Sequence, residues 1–207
     1  MGEANRRAKE RERQAEQLRS VNMSRVAGAV RHVASIATKF PGKDCYIHAS
    51  IGKSLLNRLG VESELVVGFA GWRVGEGSGD AILCMPVTRE ICLNEGFPCH
   101  AWIEIGHNIL DLTTYQFSRQ AATLEELDGN NVNVSWCPDF LQVKKESVSS
   151  VRDLILKNTW CYYYERNLQF EREMSKVSFG LTDDHVDMAL AFYQASVADN
   201  YLSLNAA

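Results

Sequence analysis

The sequence lacks the features that mark three common classes of protein. It contains no apolar run long enough to span a membrane, and residues 1–20 carry charges of both signs without the apolar stretch of a secretory signal. It also has no dense basic stripe with interleaved aromatics, since 22 Lys and Arg stand against 26 Asp and Glu, for a formal net charge of −4. We therefore expect a cytoplasmic protein that binds neither membranes nor nucleic acid.

The six cysteines lack the spacing of a structural metal site. No pair forms a C-x-x-C motif and no interval between cysteines repeats. Cys99 and His100 are neighbours in a predicted strand, so their side chains point to opposite faces and make poor joint ligands. We predict no metal, no cofactor and reduced thiols in a cytoplasm.

Length and composition favour one main domain. With 207 residues, 45% of them hydrophobic, the chain can bury a sizeable core without disulfides. Residues 1–20 are predicted to form a charged N-terminal arm or helix. Residues 21–207 are predicted to form a single domain, with its core at about 42–140 and its C-terminal helices at about 147–200.

Hydrophobic spacing predicts helices and strands along the chain. Predicted helices run from Ser24 to Lys39, from Cys45 to the stop at Gly60, from Val148 to Lys157, from Thr159 to Lys176 and, with Thr182 as a cap, from Asp183 to Ala198. Predicted strands run from Leu65 to Val74, from Ala81 to Thr88 and from Asn133 to Trp136, and Gly75 to Asp80 reads as a turn. The irregular stretch from Arg89 to Pro98 is either a gate or a connector.

The most informative segment is a predicted hairpin around Gly106 and His107. If these two residues form the loop, Trp102 lies opposite Asp111, and His100 shares the face of Trp102. His100 and Asp111 are then diagonal neighbours with α-carbons roughly 7–8 Å apart. A three-residue loop would turn Asp111 to the other face, so the pairing depends on the register.

Cys45 is predicted to lie in the first turn of a helix, with Asp44 as its N-cap. The unpaired backbone N–H groups there favour a thiolate, while the Asp44 charge opposes it. Cys45, His100 and Asp111 are then the nucleophile, general base and orienting carboxylate of a Cys-His-Asp site.

Five further residues are candidates for the walls of this site: Asp44, Tyr46, His48, Trp102 and Gln116. His48 lies three residues after Cys45 on the same side of the helix, so it is either an alternative base or a pocket wall. Trp102 either shields the site from water or is an ordinary core residue. Asn22 and Gln116 are each either a side-chain donor to the oxyanion or an ordinary surface amide.

Several of these segments together resemble a known superfamily. Cys45 at a helix start, the run from Leu55 to Val61, the strand from Glu64 to Gly68, the His100–Glu104 stretch and Asp111 to Thr113 look like the transglutaminase-like, papain-like cysteine peptidases. The strongest similarity is to the bacterial branch that includes the leader-cleaving peptidases of lasso-peptide biosynthesis. The resemblance covers about residues 42–117.

The resemblance implies an α+β fold in which a nucleophile-bearing helix packs on an antiparallel sheet, with additional C-terminal helices. It implies a cysteine hydrolase, a peptidase or amidase, that acts on a peptide or other amide through a thioester. A transamidase or acyltransferase of the same fold is an alternative, because an amine can replace water as the acceptor. A catalytically silent binding module that keeps the fold is another.

Overall fold

The protein is a mixed α+β structure. The computed structural model describes residues 3–85, 99–129, 131–157 and 159–204, and within them lie seven α-helices and six strands. The helices are α1 (Glu3–Ser20), α2 (Met23–Ala37), α3 (Cys45–Arg58), α4 (Phe117–Asp128), α5 (Val151–Leu156), α6 (Leu168–Met174) and α7 (Asp183–Leu204). The strands are β1 (Glu64–Arg73), β2 (Ala81–Cys84), β3 (His100–Ile105), β4 (Asn108–Asp111), β5 (Leu141–Lys144) and β6 (Tyr162–Arg166).

The long strand β1 organises an entirely antiparallel sheet. Along one edge, its first half pairs with β3 and its second half with β2, so that His100 lies opposite Gly68 and Cys84 opposite Ala70. Its other edge pairs with β6, while β4 and β5 follow β3 in order. The end of β2 and the start of β3 therefore lie close together on the same edge of β1.

The two faces of the sheet bury different kinds of side chain. The aliphatic side chains of α2 and α3 pack with Val67, Ile103 and Leu110 on one face. The other face is lined by Trp72, Trp102, Phe117 and Tyr164, among others. Buried aromatics supply a large apolar area, and the polar atoms of Tyr and Trp need partners there.

The predicted helices around α2 and α3 are confirmed in most respects. Val26, Val30 and Val33 of α2 are buried, whereas Ile36, which continues the same helical spacing near the helix end at Ala37, is 60% exposed. The helix α3 begins at Cys45 and is followed by Gly60, whose φ of +80° suits a residue without a Cβ.

The hairpin has the predicted two-residue loop. Ile105 pairs with Asn108 and Ile103 with Leu110, which excludes the three-residue alternative. Gly106, the first loop residue, has a φ of +57°, a conformation that the tight hairpin turn requires and glycine tolerates. His100 and Asp111 therefore lie on the same face.

The prediction of one helix from Thr159 to Lys176 is wrong. Tyr162–Arg166 forms the strand β6, and only Leu168–Met174 is helical. Aromatic residues are common in strands, and Tyr162 and Tyr164 of β6 contact the same aromatic cluster on one face of the sheet. The Asn167 side chain then accepts from two backbone N–H groups and begins α6.

Other boundaries also differ from the predictions. The segment from Asn133 to Trp136 is irregular and forms no strand, because the N–H groups of both Ser135 and Trp136 donate to Val74 O. The helix predicted from Val148 to Lys157 is confined to α5, where Ser150 forms a capping box with Asp153. Of the strand predicted from Ala81 to Thr88, β2 is observed; its last residues and the stretch from Arg89 to Pro98 lie outside the described residues.

Two predicted features of the C-terminal and N-terminal segments are also present. The helix α7 begins at Asp183, directly after the predicted cap Thr182, and packs against α2 and α3. Residues 3–20 are helical and contact the turn after α3, where Gln17 donates to Gly60 O at 2.9 Å. Within the described part of the chain, none of the helices combines the length and apolar character needed to cross a bilayer.

Candidate active site

His100 and Asp111 form a buried pair. The His100 Nε2–H donates to Asp111 Oδ2 at 2.9 Å, and the side chains are 1% and 0% exposed. The hairpin register brings them together from β3 and β4. A short charge-assisted hydrogen bond away from water is stronger than the same contact at the surface.

The Asp111 carboxylate has donors on both oxygens. Thr113 donates to Oδ1 through its backbone N–H at 3.0 Å and through its hydroxyl at 2.8 Å. The Tyr164 hydroxyl donates to Oδ2 at 2.8 Å, and Trp72 Nε1–H in turn donates to the Tyr164 oxygen at 2.7 Å. These donors favour the ionised form and hold the carboxylate in one orientation.

The thiol of Cys45 lies within hydrogen-bonding reach of the His100 ring. Because Nε2 is engaged by Asp111, the nitrogen that meets the thiol is Nδ1. The start of α3 carries the thiol to this point, and the first residue of β3 carries the imidazole. The structure therefore brings together the three residues predicted as nucleophile, base and orienting carboxylate.

Burial and the neighbouring charge act in opposite directions on His100. Burial alone lowers the pKa of the imidazole, but the Asp111 carboxylate and its hydrogen bond, with smaller contributions from the Cys45 hydrogen bond and charge, outweigh this and raise the pKa of His100 to about 10. Burial alone would raise the pKa of Asp111, yet His100, Thr113 and Tyr164 together lower it. The imidazolium and the carboxylate are thus the favoured forms at neutral pH.

Aromatic rings enclose this pair. The ring of Trp72 meets His100 edge to face at 4.8 Å between centroids, and Trp102 lies nearly parallel to His100 at 6.3 Å. Trp102 is 1% exposed, and its Nε1–H donates to Glu104 at 3.3 Å. Trp102 is therefore both a core residue and a wall of the site.

Two further thiols lie near Cys45. Cys84 is the last residue of β2 and lies opposite Ala70, and Cys99 directly precedes His100, which lies opposite Gly68. Both are free thiols. Burial, with a smaller contribution from Cys45, raises the pKa of Cys99 to about 12 and that of Cys84 further. Because burial raises the pKa of both thiols, both are expected to react slowly.

His48 belongs to a second buried hydrogen-bond network. Its Nδ1–H donates to Asp44 O at 3.0 Å, and the Tyr115 hydroxyl donates to its Nε2 at 2.9 Å. Burial lowers the pKa of His48 in spite of the nearby Asp44 charge. Because both ring nitrogens have partners in this network, the geometry does not present His48 as a base to Cys45.

Asp44 and Gln116 are hydrogen-bond partners in this second network. Asp44 precedes α3 but makes no side-chain cap; instead, its Oδ1 accepts from Gln116 Nε2 at 3.1 Å. Gln116 is 5% exposed rather than a surface amide, and its Nε2 also contacts the Tyr115 hydroxyl. Asn22 caps α2 by accepting from Arg25 N at 3.2 Å, which commits its side-chain oxygen.

Tyr46 follows Cys45 and stacks on Phe179, with ring centroids 4.6 Å apart. This places Tyr46 beside the segment between α6 and α7. Within the described residues, no group of three or more His, Cys, Asp or Glu side chains is arranged to hold a metal ion.

The sequence prediction missed Tyr164, Trp72 and Tyr115. All three form hydrogen bonds in the two buried networks, through a hydroxyl or an indole N–H. The alternating Tyr162 and Tyr164 were a signal for a strand, which would have turned both rings to one face. The partners of Trp72 and Tyr115 depend on contacts between distant segments.

Comparisons with known proteins support the fold class and indicate no function. The chain matches no family model, and no curated protein is similar to it. A solved crystal structure, named only as a genomics target, is similar with a TM-score of 0.55 and 16% identity, over 82% of this chain and 76% of that one. At this identity the likeness supports the mixed α+β fold alone.

Proposed function

We propose that this protein is a cysteine hydrolase, a peptidase or amidase, with a papain-like or transglutaminase-like core. The observation that carries the proposal is the meeting of three groups: the Cys45 thiol faces His100, and Asp111 holds the opposite nitrogen of the same ring. A thiol, an imidazole and an orienting carboxylate in this order form a site for nucleophilic acyl transfer.

The charges support an ion pair as the resting state. Since the pKa of His100 is raised to about 10, the ring is protonated at neutral pH, and an imidazolium beside a thiol favours the thiolate. The Cys45 thiolate attacks the carbonyl carbon of the substrate. His100 then gives its Nδ1 proton to the leaving amine as the C–N bond breaks, and a thioester remains.

Hydrolysis of the thioester regenerates the enzyme. His100 takes a proton from water as the hydroxide adds to the thioester carbon, and the thiolate leaves with the proton retained on the imidazolium. Asp111 keeps Nε2 protonated throughout, so that Nδ1 is the nitrogen that exchanges protons with Cys45, substrate and water. An amine in place of water would give transamidation from the same intermediate.

The start of α3 supports stabilisation of the oxyanion. Asp44 does not cap the helix with its side chain because its carboxylate accepts from Gln116 instead. The first-turn N–H groups beside Cys45 therefore have no side-chain cap, and they provide a donor to the developing oxyanion.

The fold supports the family assignment in the same way. A helix that begins at the nucleophile packs on an antiparallel sheet whose hairpin carries the other two groups. We extend the proposal to a peptide or other amide substrate and to a reducing cytoplasm, where the nucleophile stays a free thiol.

The test is the rate of iodoacetamide labelling against pH, read for each cysteine by peptide mass spectrometry. We expect Cys45 to label rapidly and selectively well below pH 8, with Cys84 and Cys99 as slow internal references. His100→Ala should abolish that selectivity, whereas His48→Ala, which removes the other buried imidazole near Cys45, should preserve it.

The contrary result is equally clear. If Cys45 labels like an ordinary thiol of pKa about 8.5, or equally in wild type and His100→Ala, the enzyme proposal fails. A positive result justifies screening peptide amides with and without an added amine, because the product mass separates hydrolysis from transamidation.

A further inference from the structure

The C-terminal strand β6 reaches the proposed site through Tyr164. Its hydroxyl donates at 2.8 Å to Asp111 Oδ2, the same oxygen that accepts from His100 at 2.9 Å. Tyr164 is 8% exposed and lies in the aromatic cluster with Trp72 and Trp102. The contact links residues 53 positions apart, across β1 and β3.

The Tyr164 hydroxyl has a fixed direction because it is itself a hydrogen-bond acceptor. Trp72 Nε1–H donates to it at 2.7 Å, which leaves its own hydrogen for Asp111. The order of donation is therefore Trp72 to Tyr164 to Asp111. Hydrogen bonds in such a chain polarise one another.

We propose that Tyr164, supported by Trp72, is a positioning residue that sets how strongly Asp111 holds the His100 imidazolium. The hydroxyl shares Oδ2 with His100 and draws negative charge away from the imidazole. It also fixes the carboxylate from β6, opposite the Thr113 donors on Oδ1. The consequence for catalysis rests on the proposed function; the effect on His100 does not.

The groups that act on His100 and Asp111 come from several elements, and His48 of α3 lies within electrostatic range of Asp111. Cys45 of α3 and Asp111 of β4 act directly on His100. Tyr164 of β6 acts on Asp111, and Cys84 of β2 lies close enough to influence both Tyr164 and Asp111. A measured change at His100 must therefore be compared with a variant that leaves all of these groups in place.

Tyr164→Phe removes the hydroxyl and keeps the ring. Tyr162→Phe is a matched control, since Tyr162 lies two residues earlier on β6 but its hydroxyl contacts Ser147 at 3.0 Å. The readouts are the ¹H NMR resonance of the His100 Nε2–H, identified by its loss in His100→Ala, and the pH at which His100 titrates.

Loss of the hydroxyl leaves more negative charge on Oδ2, so the imidazolium is held more strongly. We expect the titration midpoint of His100 to rise by roughly half to one pH unit in Tyr164→Phe, with a change in the Nε2–H resonance. Tyr162→Phe should match the wild type. If Tyr164→Phe does not fold, Trp72→Phe should raise the midpoint by a smaller amount, because it weakens Tyr164 as a donor.

An unchanged or lowered midpoint in the folded variant overturns the inference, even if Cys45 labelling depends on His100 as proposed above. A raised midpoint together with labelling that ignores His100 supports the inference and overturns the proposed function. The two failures are thus distinguishable, because the titration of His100 requires no substrate and no reaction at Cys45.

Discussion

Two buried histidines lie near Cys45. Their partners are similar, but the pKa of one is raised and that of the other is lowered. Each has an aspartate and a tyrosine hydroxyl close by. His100 donates directly to the Asp111 carboxylate, and its pKa is raised to about 10. His48 donates to the Asp44 backbone carbonyl, with the carboxylate 3.7 Å away, and burial lowers its pKa.

The two tyrosines donate to different atoms, and Tyr115 accounts for part of this difference. Tyr164 donates to the carboxylate, which leaves His100 free to be protonated on both nitrogens. Tyr115 donates to the ring itself at Nε2, and that bond requires an unprotonated nitrogen. The pair of sites shows that the atom each partner contacts, more than the residue types present, decides which histidine is charged.

The largest expected effect is on the Asp111 side of the comparison. Asp111→Ala leaves buried donors on His100, Thr113 and Tyr164 without a partner, so we expect a loss of about 3–5 kcal/mol in the free energy of unfolding, measured by urea titration. The matched control is Asp139→Ala, an exposed carboxylate paired with Arg31, which should cost about 1 kcal/mol or less. Equal losses would mean that Asp111 is not the anchor of the network.

The second effect separates stability from reactivity. His48→Leu removes the partner of the Tyr115 hydroxyl and of the Asp44 carbonyl, and should cost about 1–3 kcal/mol of unfolding free energy. The pH dependence of Cys45 labelling should nevertheless match the wild type, because His48 contacts neither His100 nor its carboxylate in the two networks. A changed pH dependence of Cys45 labelling in His48→Leu would instead show that the two sites are coupled.

The third effect is a pair of opposite pH dependences. Because the pKa of His100 is raised from 6.5 to about 10, its contribution to stability is complete below pH 6.5 and disappears as pH rises towards 10. His48 has a lowered pKa, so its contribution is complete above pH 6.5 and disappears as pH falls through its folded value. Asp111, also lowered, loses its contribution below pH 3.8.

Urea midpoints measured across pH check these signs. His100→Ala should flatten the alkaline decline of stability, and His48→Leu should flatten the decline on the acid side of pH 6.5. The opposite assignment of the two limbs would show that the charge states of the two histidines are reversed.

The smallest effect concerns the second tyrosine. Tyr115→Phe removes the donor to His48 and should cost about 1 kcal/mol. Unlike Tyr164→Phe, it should leave the titration of His100 unchanged, as followed by the same NMR resonance. A shift of His100 in this variant would show that the two networks are coupled.

The parts of the site that local rules specify could be predicted from the sequence. Loop length fixed the hairpin register, and alternation then placed His100 and Asp111 on one face. The start of α3 at Cys45 followed from the spacing of apolar residues. These predictions succeed because strand and helix periods act over a few neighbouring residues.

The remaining parts depend on contacts between distant segments. Nothing local indicates that Asp44 turns to Gln116 instead of capping α3, since the two are 72 positions apart. The strand β6 was predicted as part of a helix because its aromatics fit either period, and only pairing with β1 decides between them. The triad roles stay predictions until Cys45 is tested.

The strand β1 has a consequence for how this chain can vary. Both β2 and β3 are held in register by the same edge, so Cys84 and His100 keep their positions whatever number of residues joins them. Insertions or deletions between residues 85 and 99 are therefore not transmitted to the hairpin. We expect chains with a different number of residues between these two strands to keep the contact between His100 and Asp111.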